Sequence, residues 1–277
     1  MVKISDLITA GAQQIETTAD NPRAEARLIL AHILQTDVSA LIVRSEDVVC
    51  EKDAKLFEKL VLERKCRKPI AYILGKKEFF GLTFSVNEHT LIPRPETEFV
   101  VEKIISSGKK TLLDLCTGSG CIPIAAAMNL NITALGVDIS EGAVSVAEEN
   151  AKIHNLLGKV SFEVADIMKK DFFGKFDVIS SNPPYITDAD MPNLSPDVKD
   201  YEPRLALTGG KDGLKFYRRI ADIAPKNLNA DGILIFEVGI GQAQEVAEIM
   251  EENFINIKII KDLAGIDRVV SGAKKEK

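Results

Sequence analysis

Cysteine is scarce. The 277 residues hold four, at positions 50, 66, 116 and 121, and none forms a Cys-x-x-Cys pair. A disulfide-stapled mini-scaffold is therefore excluded. The better expectation is reduced, mostly buried cysteines in a cytoplasmic protein. Histidine is scarcer still: His32, His89 and His154 stand far apart, and no metal-ligand spacing appears. No metal is expected. No apolar run reaches the roughly 18 residues that a membrane-spanning helix needs. The segment Met1-Val2-Lys3-Ile4-Ser5-Asp6-Leu7 meets an acid at once, so no secretory signal is expected there. Nor is there an excess of positive charge. With 35 Lys and Arg against 41 Asp and Glu, the net charge is −6, which argues against a protein that coats nucleic acid through its whole surface.

What is present is an ordinary apolar content of 45%, enough to bury a real core and too much for bulk disorder. The length suits one large and one small domain. Residues 1–75 read as helical. Asp20-Asn21-Pro22 offers a cap with proline at the first helical position. Ala24, Leu28 and Ala31 then recur at helical spacing, to about Gln35. A second helix starts near Asp53, with Phe57, Leu60 and Val61 on one face. It ends in Glu63-Arg64-Lys65-Cys66-Arg67-Lys68 before Pro69. That basic run reads most simply as a solvated last turn favoured by the helix dipole. The sharper alternative is a docking patch for an RNA-rich partner. Alternation of Leu82, Phe84 and Val86 after Gly81 indicates a strand or hairpin.

From residue 109 the pattern changes to apolar strands alternating with helices. The expected strands are Thr111–Cys116, Ile132–Asp138, Val160–Asp166, Phe176–Ser181 and Gly232–Gly239, with two more β-like runs in 255–271. The expected helices are one after the glycines at 118–120, one capped by Ser140 and running to His154, Gly213–Asn227 shortened by Pro225, and Gly241–Asn253. Such alternation implies a doubly wound α/β fold, a largely parallel sheet covered on both faces. The expected domains are 1–75, helical; 76–98, a hairpin linker; and 99–277, the sheet domain. Residues 186–211 read as a long irregular, substrate-contacting stretch.

Two motifs carry chemistry. Asp114-Leu115-Cys116-Thr117-Gly118-Ser119-Gly120-Cys121 follows a strand and opens a helix. Its glycines allow close backbone approach, and the helix start adds free N–H donors. The dinucleotide pattern is incomplete because Pro123 occupies its last position. Asp138 ends the next strand, where an acid can bond ribose hydroxyls. The pair points to a nucleoside cofactor, with plain turn chemistry as the alternative. The second motif is Asn182-Pro183-Pro184-Tyr185, after the strand ending at Ser181. The Asn182 side-chain carbonyl and the Pro183 main-chain carbonyl can converge as acceptors on one planar –NH2 group. Tyr185 offers a ring for a flat substrate. The alternative is a rigid polar turn with the tyrosine packed on top.

These motifs resemble S-adenosylmethionine-dependent methyltransferases acting on a planar –NH2 nitrogen. Adenine-N6 and protein-glutamine enzymes share the tetrapeptide. Leu91-Ile92-Pro93-Arg94-Pro95-Glu96-Thr97-Glu98, Glu202-Pro203-Arg204-Leu205-Ala206-Leu207, Gly209–Leu214 and Gly265–Val270 resemble the peptide-chain release-factor N5-glutamine methyltransferases, over nearly the whole chain. The resemblance implies a seven-stranded Rossmann-like sheet with a small N-terminal helical domain for substrate docking. It implies S-adenosylmethionine as methyl donor and S-adenosylhomocysteine as product. The acceptor it implies is the Gly-Gly-Gln glutamine of class I release factors, with no sequence-specific nucleic-acid partner. It places the cofactor on Cys116, Thr117, Gly118, Ser119, Gly120, Asp138, Asp166, Ile167 and Asn182. It places the glutamine on Asn182, Pro183, Pro184 and Tyr185, with Asn182, Pro183 and Tyr185 in the catalytic role. Many members carry an aromatic residue where Ile167 stands, so apolar contact without stacking, and weaker cofactor binding, are expected. Adenine methylation and methylation of a ribosomal-protein glutamine are the alternatives.

Overall fold

The computed structural model describes residues 2–276. They form two compact units. One is the chain up to Lys76 together with Ser195–Tyr201; the other is Lys77–Leu194 with the chain from Glu202 onward. No helix among the described residues is long and apolar enough to cross a membrane.

The first unit pairs β1 (Val2–Lys3) with β2 (Val48–Val49) and packs five helices: α1 (Ile4–Gln14), α2 (Pro22–Leu34), α3 (Val38–Val43), α4 (Glu51–Lys65) and α5 (Ile70–Leu74). The start of α2 is as the sequence reads. Pro22 opens the helix and Asn21 Oδ1 accepts the Ala24 N–H at 3.2 Å, satisfying one of the free donors of the first turn. Its buried face differs from the expected one. Ala26, Ile29, Leu30 and Ala31 face the core, while Leu28 is exposed and Ala24 only half-buried. Leu28-Ile29-Leu30 is an unbroken apolar run, so spacing alone did not select the buried stripe. In α4, Phe57 and Val61 are buried and Leu60 packs against them.

The basic end of α4 also departs from the expectation of a solvated turn. Arg64 is buried, and Arg67 and Lys68 are both ion-paired. Arg64 is held by Glu25, Asp197 and the Thr18 carbonyl, all within this unit. It is therefore not available to a docking partner. The cysteines are all free, but Cys50 and Cys66 are exposed, Cys116 is half-buried and only Cys121 is buried, so "mostly buried" is corrected.

From Lys77 the second unit holds the rest of the hairpin β3 (Lys76–Phe79) and β4 (Leu82–Ser85) and continues through α6 (Glu98–Ser107), β5 (Thr111–Leu115), α7 (Cys121–Asn129), β6 (Thr133–Asp138), α8 (Glu141–Ile153), β7 (Val160–Val164) and β8 (Phe176–Ser181). Phe79 and Phe84 of the hairpin join Val100, Ile104 and Leu112 in one core cluster. Residues 186–211 are not structureless. They contain β9 (Ile186–Thr187), α9 (Pro196–Lys199) and β10 (Thr208–Gly210), and β9 pairs with β10 in parallel. The chain ends with α10 (Lys215–Asn227), β11 (Leu228–Glu237), α11 (Ala243–Met250) and the antiparallel hairpin β12 (Phe254–Lys261) and β13 (Asp267–Lys274). Pro225 does not shorten α10. It lies two residues before the end, where one missing N–H costs the helix a single bond. The strand expected from Gly232 starts earlier, at Leu228, with a register shift before Ile233.

The main sheet has seven strands in the order β12-β13-β11-β8-β5-β6-β7, and this confirms the doubly wound α/β expectation. Strands β11, β8, β5, β6 and β7 are parallel. Both faces are covered. Leu112 and Val178 point to the layer of α6 and α7, and Leu113, Leu115 and Ile179 to the layer of α10 and α11. The chain runs β5 to β6 to β7 on one side, then crosses to β8 on the other side of β5. That crossing is the topological switch point, where such sheets open a crevice at the carboxyl ends of their strands.

Candidate active site

The crevice holds a cavity of about 510 Å³, in the size range of small-molecule sites. Cys116, Thr117, Gly118, Ser119, Asp138, Asp166, Ile167, Asn182 and Pro184 line it. The carboxyl ends of β5, β6, β7 and β8 and the loops after them thus bring together most of the residues singled out from sequence. Gly120, Pro183 and Tyr185 are not among the lining residues.

The loop after β5 is shaped by unusual backbone. Cys116 has φ of 61°, a left-handed conformation that side-chain-bearing residues rarely adopt. Gly120 has φ of 75°, and a Cβ there would lie 2.9 Å from the Phe162 ring and 3.0 Å from Ala147 Cβ. Only glycine fits, so α7 can start this close to β7 and α8. The loop is tied down by Asp138. One carboxylate oxygen accepts the Gly118 N–H at 2.9 Å and the other accepts the Ser140 N–H at 3.0 Å. Burial pushes the Asp138 carboxyl up, against these two bonds. Ser140 also caps α8 by accepting the Ala143 N–H at 3.2 Å.

Three buried polar atoms on this side have no partner: Asp114 Oδ2, Thr117 Oγ1 and Ser119 Oγ. Buried polar groups are normally satisfied, so orphans in a cradle mark a place for a polar ligand. Asp114 bonds Ser180 Oγ at 2.6 Å, and burial pushes its carboxyl up to about 7. Asp166 behaves oppositely. The Met168 N–H and then Lys169 hold its carboxyl below the usual range. Burial pushes the Cys116 thiol far up and that of Cys121 up to about 12, so neither is a nucleophile at neutral pH.

On the opposite wall, the turn after β8 is clamped from outside. Gln242 Nε2 donates to the Tyr185 carbonyl at 3.1 Å, and its Oε1 accepts the Gly239 N–H at 3.2 Å. A Cβ on Gly213 would collide with that same carbonyl oxygen. The Tyr185 ring packs against the core and lies next to Gly239. Burial pushes its phenol up to about 12, which keeps it neutral. Asn182 Nδ2 donates to Thr97 Oγ1 at 3.3 Å. Glu202, buried, accepts from Arg94 and from the Ile92 N–H at 3.2 Å, which joins two of the segments noted in the sequence.

Sequence reasoning missed Thr97, Glu237 and Gln242 as site residues. One signal existed for Glu237: it is a lone carboxylate closing the apolar run Ile233–Phe236, at the strand end shared with Asp138. Thr97 stands in the segment Leu91–Glu98 noted in the sequence, but nothing there ties it to Asn182, 85 residues away; Gln242 lies 57 residues from Tyr185, and no local pattern marks it.

A family model described as the PrmC N-terminal domain matches residues 6–75, and one described as a methyltransferase domain matches residues 106–276. The release factor glutamine methyltransferase of Clostridium acetobutylicum is 40% identical over 278 residues, covering 97% of this chain and 98% of that protein. The protein of the same description from Geobacter sulfurreducens is 40% identical over 261 residues, covering 93% and 91%. Among solved structures, a methyltransferase from Pyrococcus furiosus superposes with a TM-score of 0.56 at 21% identity, covering 79% of this chain and 98% of that one. That likeness shows the fold.

Proposed function

The chain belongs to the release factor glutamine methyltransferase family, and from that premise we propose that it transfers a methyl group from S-adenosylmethionine to the side-chain amide nitrogen of the Gly-Gly-Gln glutamine in class I release factors. The observation that carries this reading is a single cavity with Cys116–Ser119, Asp138, Asp166 and Ile167 on one side and Asn182 on the other. The residues fit the cofactor. Thr117 and Ser119 hold orphaned hydroxyls, Asp138 keeps lone pairs for ribose hydroxyls, and Ile167 offers an apolar surface for adenine.

The cofactor supplies an electrophilic methyl group on a positively charged sulfur. The rest falls to the chain. An amide nitrogen is a poor nucleophile because its lone pair is delocalised into the carbonyl. Asn182, fixed at the end of β8, holds that nitrogen at one place and one angle. Orientation of this kind supplies much of the acceleration. Its Oδ1 and the Pro183 carbonyl serve as acceptors for the two N–H groups, which favours positive charge developing on nitrogen. The helical domain at 1–75 docks the large partner. A net charge of −6 supports a protein rather than nucleic-acid acceptor. Four free cysteines, two of them exposed, suit a reducing cytoplasm.

Four acceptors test the proposal: intact release factor, its Gln→Ala variant in Gly-Gly-Gln, a short peptide, and adenine-containing DNA. With labelled cofactor, the first should be strongly methylated, the second not at all, the third poorly and the fourth not at all. Methylated adenine overturns the reading; methylation that survives Gln→Ala moves the target elsewhere.

Asp138→Ala tests the cofactor side. It removes a charged acceptor worth about 1.5–3 kcal/mol. It also frees the Gly118 and Ser140 N–H groups that shape the loop. Cofactor affinity should fall by roughly 10- to 150-fold, the equivalent of that range. Calorimetry showing unchanged affinity would place the ribose elsewhere.

A further inference from the structure

Behind Asn182 stands a chain of polar groups that ends on a buried acid. Asn182 Nδ2 donates to Thr97 Oγ1 at 3.3 Å. Thr97 is itself buried, at the start of α6. Glu237, the last residue of β11, lies beside them: the Thr97 hydroxyl and, less strongly, the Asn182 amide hold its carboxyl down against burial. Glu237 is 3% exposed, its Oε2 has no partner, and it is not among the residues lining the cavity. Its main-chain carbonyl accepts the Tyr217 hydroxyl at 3.0 Å, which fixes the strand end.

Resting on the proposed function, we infer that Glu237, through Thr97, is a positioning residue that holds the Asn182 amide with its oxygen, not its nitrogen, toward the substrate. An ionised carboxylate can only accept. Thr97 must then give its hydrogen to Glu237 and accept from Asn182 Nδ2. The amide plane is set, and Oδ1 is left for the substrate. A substrate –NH2 group needs acceptors, so this orientation is the productive one. Protonation of Glu237 reverses the logic. Its O–H can donate to Thr97, Thr97 can donate to Asn182 Oδ1, and the amide turns its NH2 toward another NH2. Chains of this kind are strengthened when one end is charged.

Burial pushes the Glu237 carboxyl up to about 7, with Thr97 opposing, so both states lie within reach near neutrality. The charged and titratable groups facing it are Glu96, which raises it, and Arg268, which lowers it. Arg268 is shared with Glu96 and Asp262. Tyr185, Tyr217 and Cys121 also feel its charge, and burial keeps all three neutral at this pH.

The test is kcat against pH, with release factor and cofactor saturating, for wild type, Glu237→Gln, Thr97→Val and Thr97→Ser. Wild-type kcat should rise with pH through the neutral range. Glu237→Gln should lose on the order of 10- to 100-fold in kcat, as for partners that orient a contacting group. Its profile should be flat where the wild type rises, with KM for cofactor little changed. Thr97→Val breaks the relay without touching the acid and should show a similar loss. Thr97→Ser, which keeps the hydroxyl, should recover to within a few-fold. If Glu237→Gln does not fold, the Thr97 pair decides alone. A Glu237→Gln or Thr97→Val enzyme as fast as an active wild type overturns the inference and leaves the proposed function standing. A wild type that does not methylate release factor overturns the proposed function and the inference with it.

Discussion

Asn182→Ala should lower kcat by about 10²–10³, roughly 3–4 kcal/mol of transition-state stabilisation, because in the proposed mechanism it deletes a preorganised polar contact at the reacting nitrogen. The fold should survive. Asn182 is half-buried in a turn that other groups hold: Ser181 Oγ bonds the Leu115 carbonyl at 2.6 Å, and Gln242 grips the Tyr185 carbonyl. Cofactor affinity should change far less than turnover. The loop after β5 and Asp138 carry most polar contacts on the cofactor side, and neither bonds Asn182. The split between kcat and cofactor affinity is what distinguishes orientation of the amide from simple loss of the pocket. Single-turnover methylation of release factor, with calorimetry of cofactor binding, measures both. Near-normal turnover would remove Asn182 from contact with the substrate amide.

Local patterns were legible in the sequence, and distant ones were not. Asn21 and Ser140 were identifiable as caps because a cap depends on side chains within three residues. The strands β5, β6 and β8 were identifiable because strands buried on both faces need continuous apolar runs. Ambiguity arose where the local signal was degenerate. Leu28-Ile29-Leu30 fits several helical faces, and packing against Phe57 and Val61 chose one. Residues 186–211 looked irregular because β9 and β10 are two and three residues long, too short for any period to show. The cavity wall followed the same rule. Cys116–Ser119, Asn182 and Thr97 all stood in noted segments, but the bond that joins Thr97 to Asn182, and the closeness of Glu237, come only from tertiary structure. Arg64 shows the limit most plainly. A basic run at a helix end looks solvated until the acids of α2 and α9 fold onto it.

Those acids make Arg64→Met the substitution with the largest expected effect on stability. Arg64 Nε bonds Glu25 at 2.5 Å, Nη1 bonds Asp197 at 2.9 Å and Nη2 bonds the Thr18 carbonyl at 2.6 Å. Its side chain is 6% exposed, and those of Glu25 and Asp197 are 13% and 26%. Methionine keeps the length and apolar stem but deletes the charge. Two carboxylates and a carbonyl then stay in a poorly hydrated place without their donor. Breaking a buried pair from one side costs about 3–5 kcal/mol, mostly through the charge left behind. Arg44→Met is the control. Arg44 pairs with Asp47, but both side chains are about half exposed, at 58% and 50%, and such a surface pair contributes about 0–1 kcal/mol. Ser195–Tyr201 should loosen first, because Arg64, Arg67 and the Tyr201 hydroxyl on the Cys66 carbonyl tie it to the helical unit. Hydrogen exchange reads this directly. Amides of α2, α4 and α9 in Arg64→Met should exchange roughly 10²- to 10⁴-fold faster, as the loss of about 3–5 kcal/mol demands if opening is fast. Exchange in Arg44→Met should stay near wild type. An Arg64→Met protein as protected as Arg44→Met would mean that the acids find other partners and that the cluster does not hold the unit together.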